Sequence, residues 1–127
     1  MTNTILVVDD EKDIVDSIER QLRKDYKILK ATTGIEALRL LQKEKVKVII
    51  SDQRMPEITG VQLFERAQKI QPDAIRMLLT GYTDVASVIS AVNNGQIYRY
   101  ITKPWDPSDL EITIKKAIET YDLRVEL

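Results

Sequence analysis

Hydrophobic residues recur along this chain with two alternating spacings. Short, largely apolar runs occur at Ile5–Val8, Tyr26–Ala31, Val46–Ser51, Ile75–Leu79 and Ile97–Thr102. Runs of this length read as strands, and the nearly unbroken ones as strands covered on both faces. Between them the spacing lengthens to that of a helix face. Ile14, Ile18 and Leu22 form the first such stripe, Ala37, Leu38 and Leu41 the second, and Leu63, Phe64, Ala67 and Ile70 the third. A fourth helix carries Val85, Val88, Ile89 and Val92, and a fifth carries Leu110, Ile114, Ala117, Ile118, Tyr121 and Val125. Punctuation falls where these elements should end: Thr32-Thr33-Gly34, Pro56 and Gly60, Gln71-Pro72-Asp73, Asn93-Asn94-Gly95 and Pro107-Ser108-Asp109. The first closes a strand, while Asn93-Asn94-Gly95 suits a left-handed helix cap. Five βα units in succession predict an α/β fold, a doubly wound parallel sheet with helices on both faces.

Each strand delivers a polar residue to its carboxyl end. The first runs into Asp9-Asp10, the third into Asp52, the fourth into Thr80 and the fifth into Lys103-Pro104. In an open parallel sheet these ends share one edge, where ligands bind. In the flavodoxin-like strand order 2-1-3-4-5, the first and third strands are neighbours, so Asp52 comes beside Asp9 and Asp10. Taken singly, each residue has an ordinary structural explanation. Asp9-Asp10 could cap a helix, with Asp13 as a weak capping-box partner. Asp52 could start an Asx turn, Thr80 could be a turn residue and Lys103 a solvated cation. Taken together, three carboxylates repel one another unless a cation resolves the conflict, and Mg²⁺ suits oxygen ligands of this kind. A carboxylate can also act as a nucleophile and form an acyl phosphate, which makes Asp52 the expected phosphoacceptor. Thr80 and Lys103 then supply a hydroxyl and a fixed positive charge for phosphoryl oxygens. Pro104 makes the Lys103-Pro104 bond a candidate cis peptide that aims Lys103 inward.

Composition narrows the chemistry further. The chain has 127 residues, enough for one domain, and its hydrophobic fraction of 43% supports a real core. A formal net charge of −1 lacks the basic footprint of a nucleic-acid binder, so no nucleic acid is expected to bind this domain. Cysteine is absent, which removes disulfides, thiolate nucleophiles and thiolate metal sites. Histidine is absent too, which removes Ser-His-Asp triads and places any phosphohistidine donor on another protein. No signal peptide or membrane-length apolar stretch is present, so a cytoplasmic domain with no membrane partner is expected. The last helix keeps its stripe to Val125 with no stop signal, so residues 1–127 are expected to be the N-terminal part of a longer protein.

The stretches ILVVDD (5–10), SDQRMPEITG (51–60), LTG (79–81) and YITKPW (100–105) resemble the receiver domain of a two-component response regulator. The resemblance covers essentially the whole chain and implies a (βα)₅ fold. It implies that Asp52 takes a phosphoryl group from a sensor histidine kinase or phosphotransfer protein. Asp9 and Asp10 would serve Mg²⁺, Asp52 would ligate it, and the backbone carbonyl of Arg54 would add a further ligand. Lys103 would contact the phosphoryl group. Thr80 would move toward it, and the Tyr100 ring would fill the space that Thr80 leaves. The rearranged surface would be the fourth helix, fifth strand and fifth helix, where Tyr98 and Trp105 offer contacts for an output domain or a homodimer. Arg54 and Tyr82, bulkier than the commonest residues at their positions, would flank the pocket mouth and slow hydrolysis of the acyl phosphate. The run NNGQIYRYITKPW (93–105) resembles receivers attached to hydrogenase-type transcriptional regulators or to HD-type cyclic-dinucleotide phosphodiesterases.

Other functions on this scaffold fit less well. Aspartyl-nucleophile phosphatases resemble an Asp-x-Asp pair after the first strand, whereas Asp9 and Asp10 are adjacent. An FMN carrier would need a Ser/Thr/Gly-rich cradle where Asp9-Asp10-Glu11-Lys12 stands. A receiver-like binding module that takes no phosphate stays open, set against the intact group of five residues.

Overall fold

The computed structural model describes residues 3–81, 88–89 and 97–126. Five parallel strands form one sheet in the order β2-β1-β3-β4-β5. They are β1 (Thr4–Val8), β2 (Lys27–Ala31), β3 (Val48–Asp52), β4 (Ile75–Thr80) and β5 (Arg99–Thr102). Helices α1 (Lys12–Leu22), α2 (Gly34–Lys43) and α3 (Gly60–Ile70) separate the early strands, and a C-terminal helix spans Pro107–Glu126. The central strands β1, β3 and β4 are buried along their whole length, as expected of a parallel sheet covered on both faces.

Side-chain alternation divides the core in two. Leu6, Val8, Ile49 and Leu78 face α2 and α3, in a cluster with Leu41, Leu63, Phe64 and the buried Val88. Ile5, Val7, Val48, Ile50, Met77 and Leu79 face α1 and the C-terminal helix, among Ile18, Leu22, Ile114 and Tyr121. Register aligns Val8 with Ser51 and Asp52 with Leu79, so the strand ends meet at one edge.

Several expected boundaries shift for identifiable reasons. The second strand starts at Lys27, because the Tyr26 N–H donates to the Leu22 carbonyl at 3.1 Å in the turn after α1. The third starts at Val48, and the Val46 N–H is taken by the Gln71 side chain at 3.0 Å. The fifth is shorter than expected, with Ile97 buried but outside the strand. In α1 the inward face is Val15, Ile18 and Leu22, and Ile14 is only half-buried. The C-terminal helix buries Leu110, Ile114, Ala117, Ile118 and Tyr121 as expected, but Val125 in its last turn is 48% exposed, so the apolar stripe outruns the buried face. The N-cap of α1 is Glu11, with no side-chain cap, so neither Asp9-Asp10 nor Asp13 fills the capping role considered for them. The residues expected in the fourth helix, apart from Val88 and Ile89, lie outside the described residues.

The amino edge of the sheet is tied by one amide. Gln71, the C-cap of α3, donates from Nε2 to the carbonyls of Leu41 and Glu44 at 2.8 and 2.7 Å. Its Oε1 accepts the Val46 N–H, so the ends of two helices and the lead-in to β3 are joined. Nearby, Lys47 pairs with Asp122 of the C-terminal helix at 2.7 Å and lies over the Tyr121 ring.

Candidate functional site

At the opposite edge, β1 delivers Asp9 into a fully buried position. One oxygen, Oδ1, accepts the Glu11 N–H at 2.9 Å, and Oδ2 accepts from Lys103 Nζ at 3.0 Å. Asp10 is exposed. Asp52 closes β3 and is almost completely buried, with Oδ1 3.1 Å from the same Lys103 Nζ. Lys103 follows β5, and its N–H donates to the Thr80 carbonyl at 2.8 Å. The side chain therefore reaches back across β4 to grip carboxylates from both β3 and β1. The Lys103-Pro104 bond is cis, as its sequence position suggested.

Thr80 ends β4, fully buried, its hydroxyl donating to the Gly81 carbonyl at 3.3 Å. Tyr100 is half-buried against the α2/α3-side cluster and stands in register with Leu78. Since Thr80 and Leu78 share a sheet face by alternation, Thr80 and Tyr100 lie on the same face of neighbouring strands. Arg54 is exposed in the loop after β3, Tyr98 is exposed, and Trp105 is half-buried on the α1 side with Ile14 and Ile101. Tyr82 lies outside the described residues.

The loop after Asp52 is fastened to α3 by residues whose part the hydrophobic pattern does not reveal. Ser51 Oγ donates to the Asp52 carbonyl at 2.9 Å. Gln53 accepts the Gly60 N–H on its carbonyl at 3.1 Å and the Val61 N–H on its side-chain oxygen at 3.0 Å. Thr59 and Gln62 complete a capping box, and its Thr-x-x-Gln spacing was a readable signal. Gly60 is required by close approach: a Cβ there would lie 2.6 Å from the Asp52 carbonyl oxygen and 2.5 Å from Leu78 Cδ2. Gly34 similarly leaves room for Ile58 of this loop.

Ligand oxygens of Asp9, Asp10 and Asp52 all lie within 4.8 Å of one another. Burial pushes the Asp9 carboxyl above the usual range, against the lowering effect of the Glu11 N–H and Lys103. Burial also raises Asp52, opposed by Lys103 and reinforced by the Asp10 charge. For Lys103, burial acts to lower the ammonium, but the bonds and charges of Asp9 and Asp52 outweigh it and raise the value. Among these four groups one ammonium meets three carboxylates, leaving negative charge uncompensated. An all-oxygen, net-negative cluster fits a hard divalent cation.

The sequence matches the family model described as the response regulator receiver domain over residues 5–115. The chain belongs to the response regulator receiver family. The hydrogenase transcriptional regulatory protein HoxA of Bradyrhizobium diazoefficiens is 42% identical over 123 residues, covering 97% of this chain and 25% of that protein. Among solved structures, one described as an adenylate cyclase from Rhodopirellula baltica superposes with a TM-score of 0.96 at 33% identity, covering 99% of this chain and 94% of that one. The signal receiver domain of an HD domain-containing protein from Pseudomonas fluorescens gives 0.91 at 32% identity, covering 98% and 93%. A hydrogenase transcriptional regulator and a protein with an HD domain are thus both among the matched proteins. The chain spans about a quarter of the length of HoxA and of its Escherichia coli relative GlrR. As a receiver it is a signalling switch of the two-component kind, a class that works with histidine kinases and with output domains. No helix among the described residues is long and apolar enough to cross a membrane.

Proposed function

We propose that this receiver is switched by phosphorylation of Asp52. The observation that carries the reading is the grip of Lys103 on Asp9 and Asp52, beside a third carboxylate from Asp10. An Asp52 oxygen attacks the phosphorus of a phosphohistidine on a partner kinase or phosphotransfer protein. An O–P bond forms as the N–P bond breaks, and the imidazole nitrogen leaves with the electron pair. Lys103 supplies fixed positive charge to the phosphoryl oxygens in a partly buried setting where it acts strongly. Asp9, Asp10, Asp52 and the Arg54 carbonyl would hold Mg²⁺. When bound, the ion neutralises crowded carboxylate and phosphoryl charge.

The switch reading extends to Thr80 and Tyr100. Among the described residues the Thr80 hydroxyl donates in a long bond to the Gly81 carbonyl, which it gives up as it turns to a phosphoryl oxygen. Tyr100, half-buried on the same sheet face, then moves into the space released. Phosphorylation biases a two-state packing, and the surface around the fourth helix, β5 and the C-terminal helix changes for an output domain or a second copy. Residues 1–127 are proposed as the N-terminal receiver of a longer regulator, in line with the greater length of HoxA and GlrR. Its place is the cytoplasm, where phosphodonors drawn from ATP are made.

Intact mass after incubation with Mg²⁺ and acetyl phosphate tests the reading. One added phosphoryl group, lost in Asp52→Asn and without Mg²⁺, is the expected result. An adduct that persists in Asp52→Asn would move the acceptor elsewhere, and no adduct would leave a phosphate-independent binding module.

A further inference from the structure

The residue after the proposed acceptor makes more of the local bonds than its side chain alone would suggest. Gln53 donates its N–H to the Leu79 carbonyl of β4 at 3.1 Å. Its carbonyl accepts the Gly60 N–H, and its side-chain oxygen accepts the Val61 N–H at 3.0 Å. The first N–H groups of a helix have no partner within the helix. In α3 those of Gly60 and Val61 are satisfied by Gln53, and that of Gln62 by Thr59 Oγ1 at 3.1 Å. A helix N–H can only donate, so it is the amide oxygen of Gln53 that must face it. One residue thus joins β4, the end of β3 and the start of α3, and the loop bearing Arg54 leaves directly from it.

We infer that Gln53 is a positioning residue for the acidic site, holding the Asp52–Arg54 backbone in register for a divalent cation and the phosphoryl group. The inference rests on the phosphoacceptor reading and names how this chain keeps that site in shape. An apolar side chain at position 53 would still allow both main-chain bonds. It would leave the Val61 N–H without its partner and free the loop to shift relative to α3. A glutamate would keep the acceptor oxygen at the same reach, and its charge is compatible with a helix N-terminus.

The test compares the whole chain with Gln53→Met, which keeps length and removes the strong acceptor, and with Gln53→Glu. Three readouts are taken: Mg²⁺ affinity by calorimetry, exchange of the Val61 amide in metal-free protein, and phosphorylation rate from acetyl phosphate across Mg²⁺ concentrations. In Gln53→Met the Mg²⁺ dissociation constant rises about three- to tenfold, the range set by one lost net hydrogen bond. Val61 exchanges faster while amides of the C-terminal helix do not, and the rate loss shrinks as Mg²⁺ approaches saturation. Gln53→Glu returns Mg²⁺ affinity to within about twofold of the parent, since the accepting oxygen is restored. Unchanged Mg²⁺ affinity in Gln53→Met overturns the inference. So does equal weakening in Gln53→Met and Gln53→Glu, because the acceptor would then not be the cause. A parent that binds Mg²⁺ but takes no phosphoryl group fails the phosphoacceptor reading, and Mg²⁺ affinity still judges Gln53. A parent that binds no Mg²⁺ overturns both.

Discussion

The two edges of the sheet satisfy their polar groups by opposite rules. At the amino edge Gln71 meets two carbonyls and one N–H, all neutral, each within hydrogen-bond distance. At the carboxyl edge Asp9 and Asp52 share one ammonium while Asp10 adds a further charge. A half-buried amide with matched partners holds structure, because leaving any partner unmade is expensive. A cluster whose charges do not balance is held at some cost, and that cost falls when a cation binds. Neutral bonds that balance and charges that do not thus stand at opposite ends of the same sheet.

The largest effect should come from breaking the matched edge. Gln71→Leu strands two carbonyls and one N–H, and is expected to lower unfolding free energy by about 2–4 kcal/mol, read from denaturant titration. Mg²⁺ affinity should stay near the parent value, because the site lies at the far edge. Next comes Gly60→Ala, whose added methyl meets the Asp52 carbonyl and Leu78. A loss of about 1–3 kcal/mol is expected from overpacking, and here Mg²⁺ affinity should fall too, since the Asp52 backbone must shift.

Asp52→Asn sharpens the contrast in the other direction. Burial raises the folded-state value for Asp52, so the folded protein binds its proton more readily than the unfolded chain does. Its stabilising contribution is complete below the unfolded value of 3.8 and is lost as pH rises through the folded value. Metal-free Asp52→Asn should therefore melt a few degrees above the parent at pH 7, with the gap closing toward pH 4. Saturating Mg²⁺ should raise the parent's melting temperature and have much less effect on the variant. A variant that melts lower than the parent at pH 7 would contradict the charge-strained picture. The smallest effect belongs to Lys47→Ala, which removes a half-exposed ion pair and a ring contact at the amino edge. Less than about 1 kcal/mol is expected in thermal unfolding.

The strands were legible because periodicity reports on main-chain geometry, and the convergence of Asp9, Asp52 and Lys103 followed once the flavodoxin-like order was taken for the sheet. Strand starts were less legible, since they depend on where single N–H groups go: Tyr26 to a turn carbonyl, Val46 to Gln71. Val15 displaced Ile14 on the buried face of α1, a choice between adjacent apolar residues that spacing alone leaves open. The parts played by Gln53 and Gln71 left no trace in the hydrophobic pattern, because a side chain bonded to main chain has no period. Gly60 was visible as loop punctuation, but the reason for it, the nearby Asp52 carbonyl, needed three dimensions.

The half-buried Trp105, two residues from Lys103, has a practical consequence. It is the sole tryptophan of the chain, so indole emission excited at the red edge of the absorption band comes from one known place. That ring packs against the core on the α1 side and lines a pocket together with Ile14 and Lys103, so its emission reports on the surroundings of Lys103 without any label. A change in that emission on mixing with Mg²⁺, read by stopped-flow on the unaltered protein, is the expected sign that Lys103 changes partners.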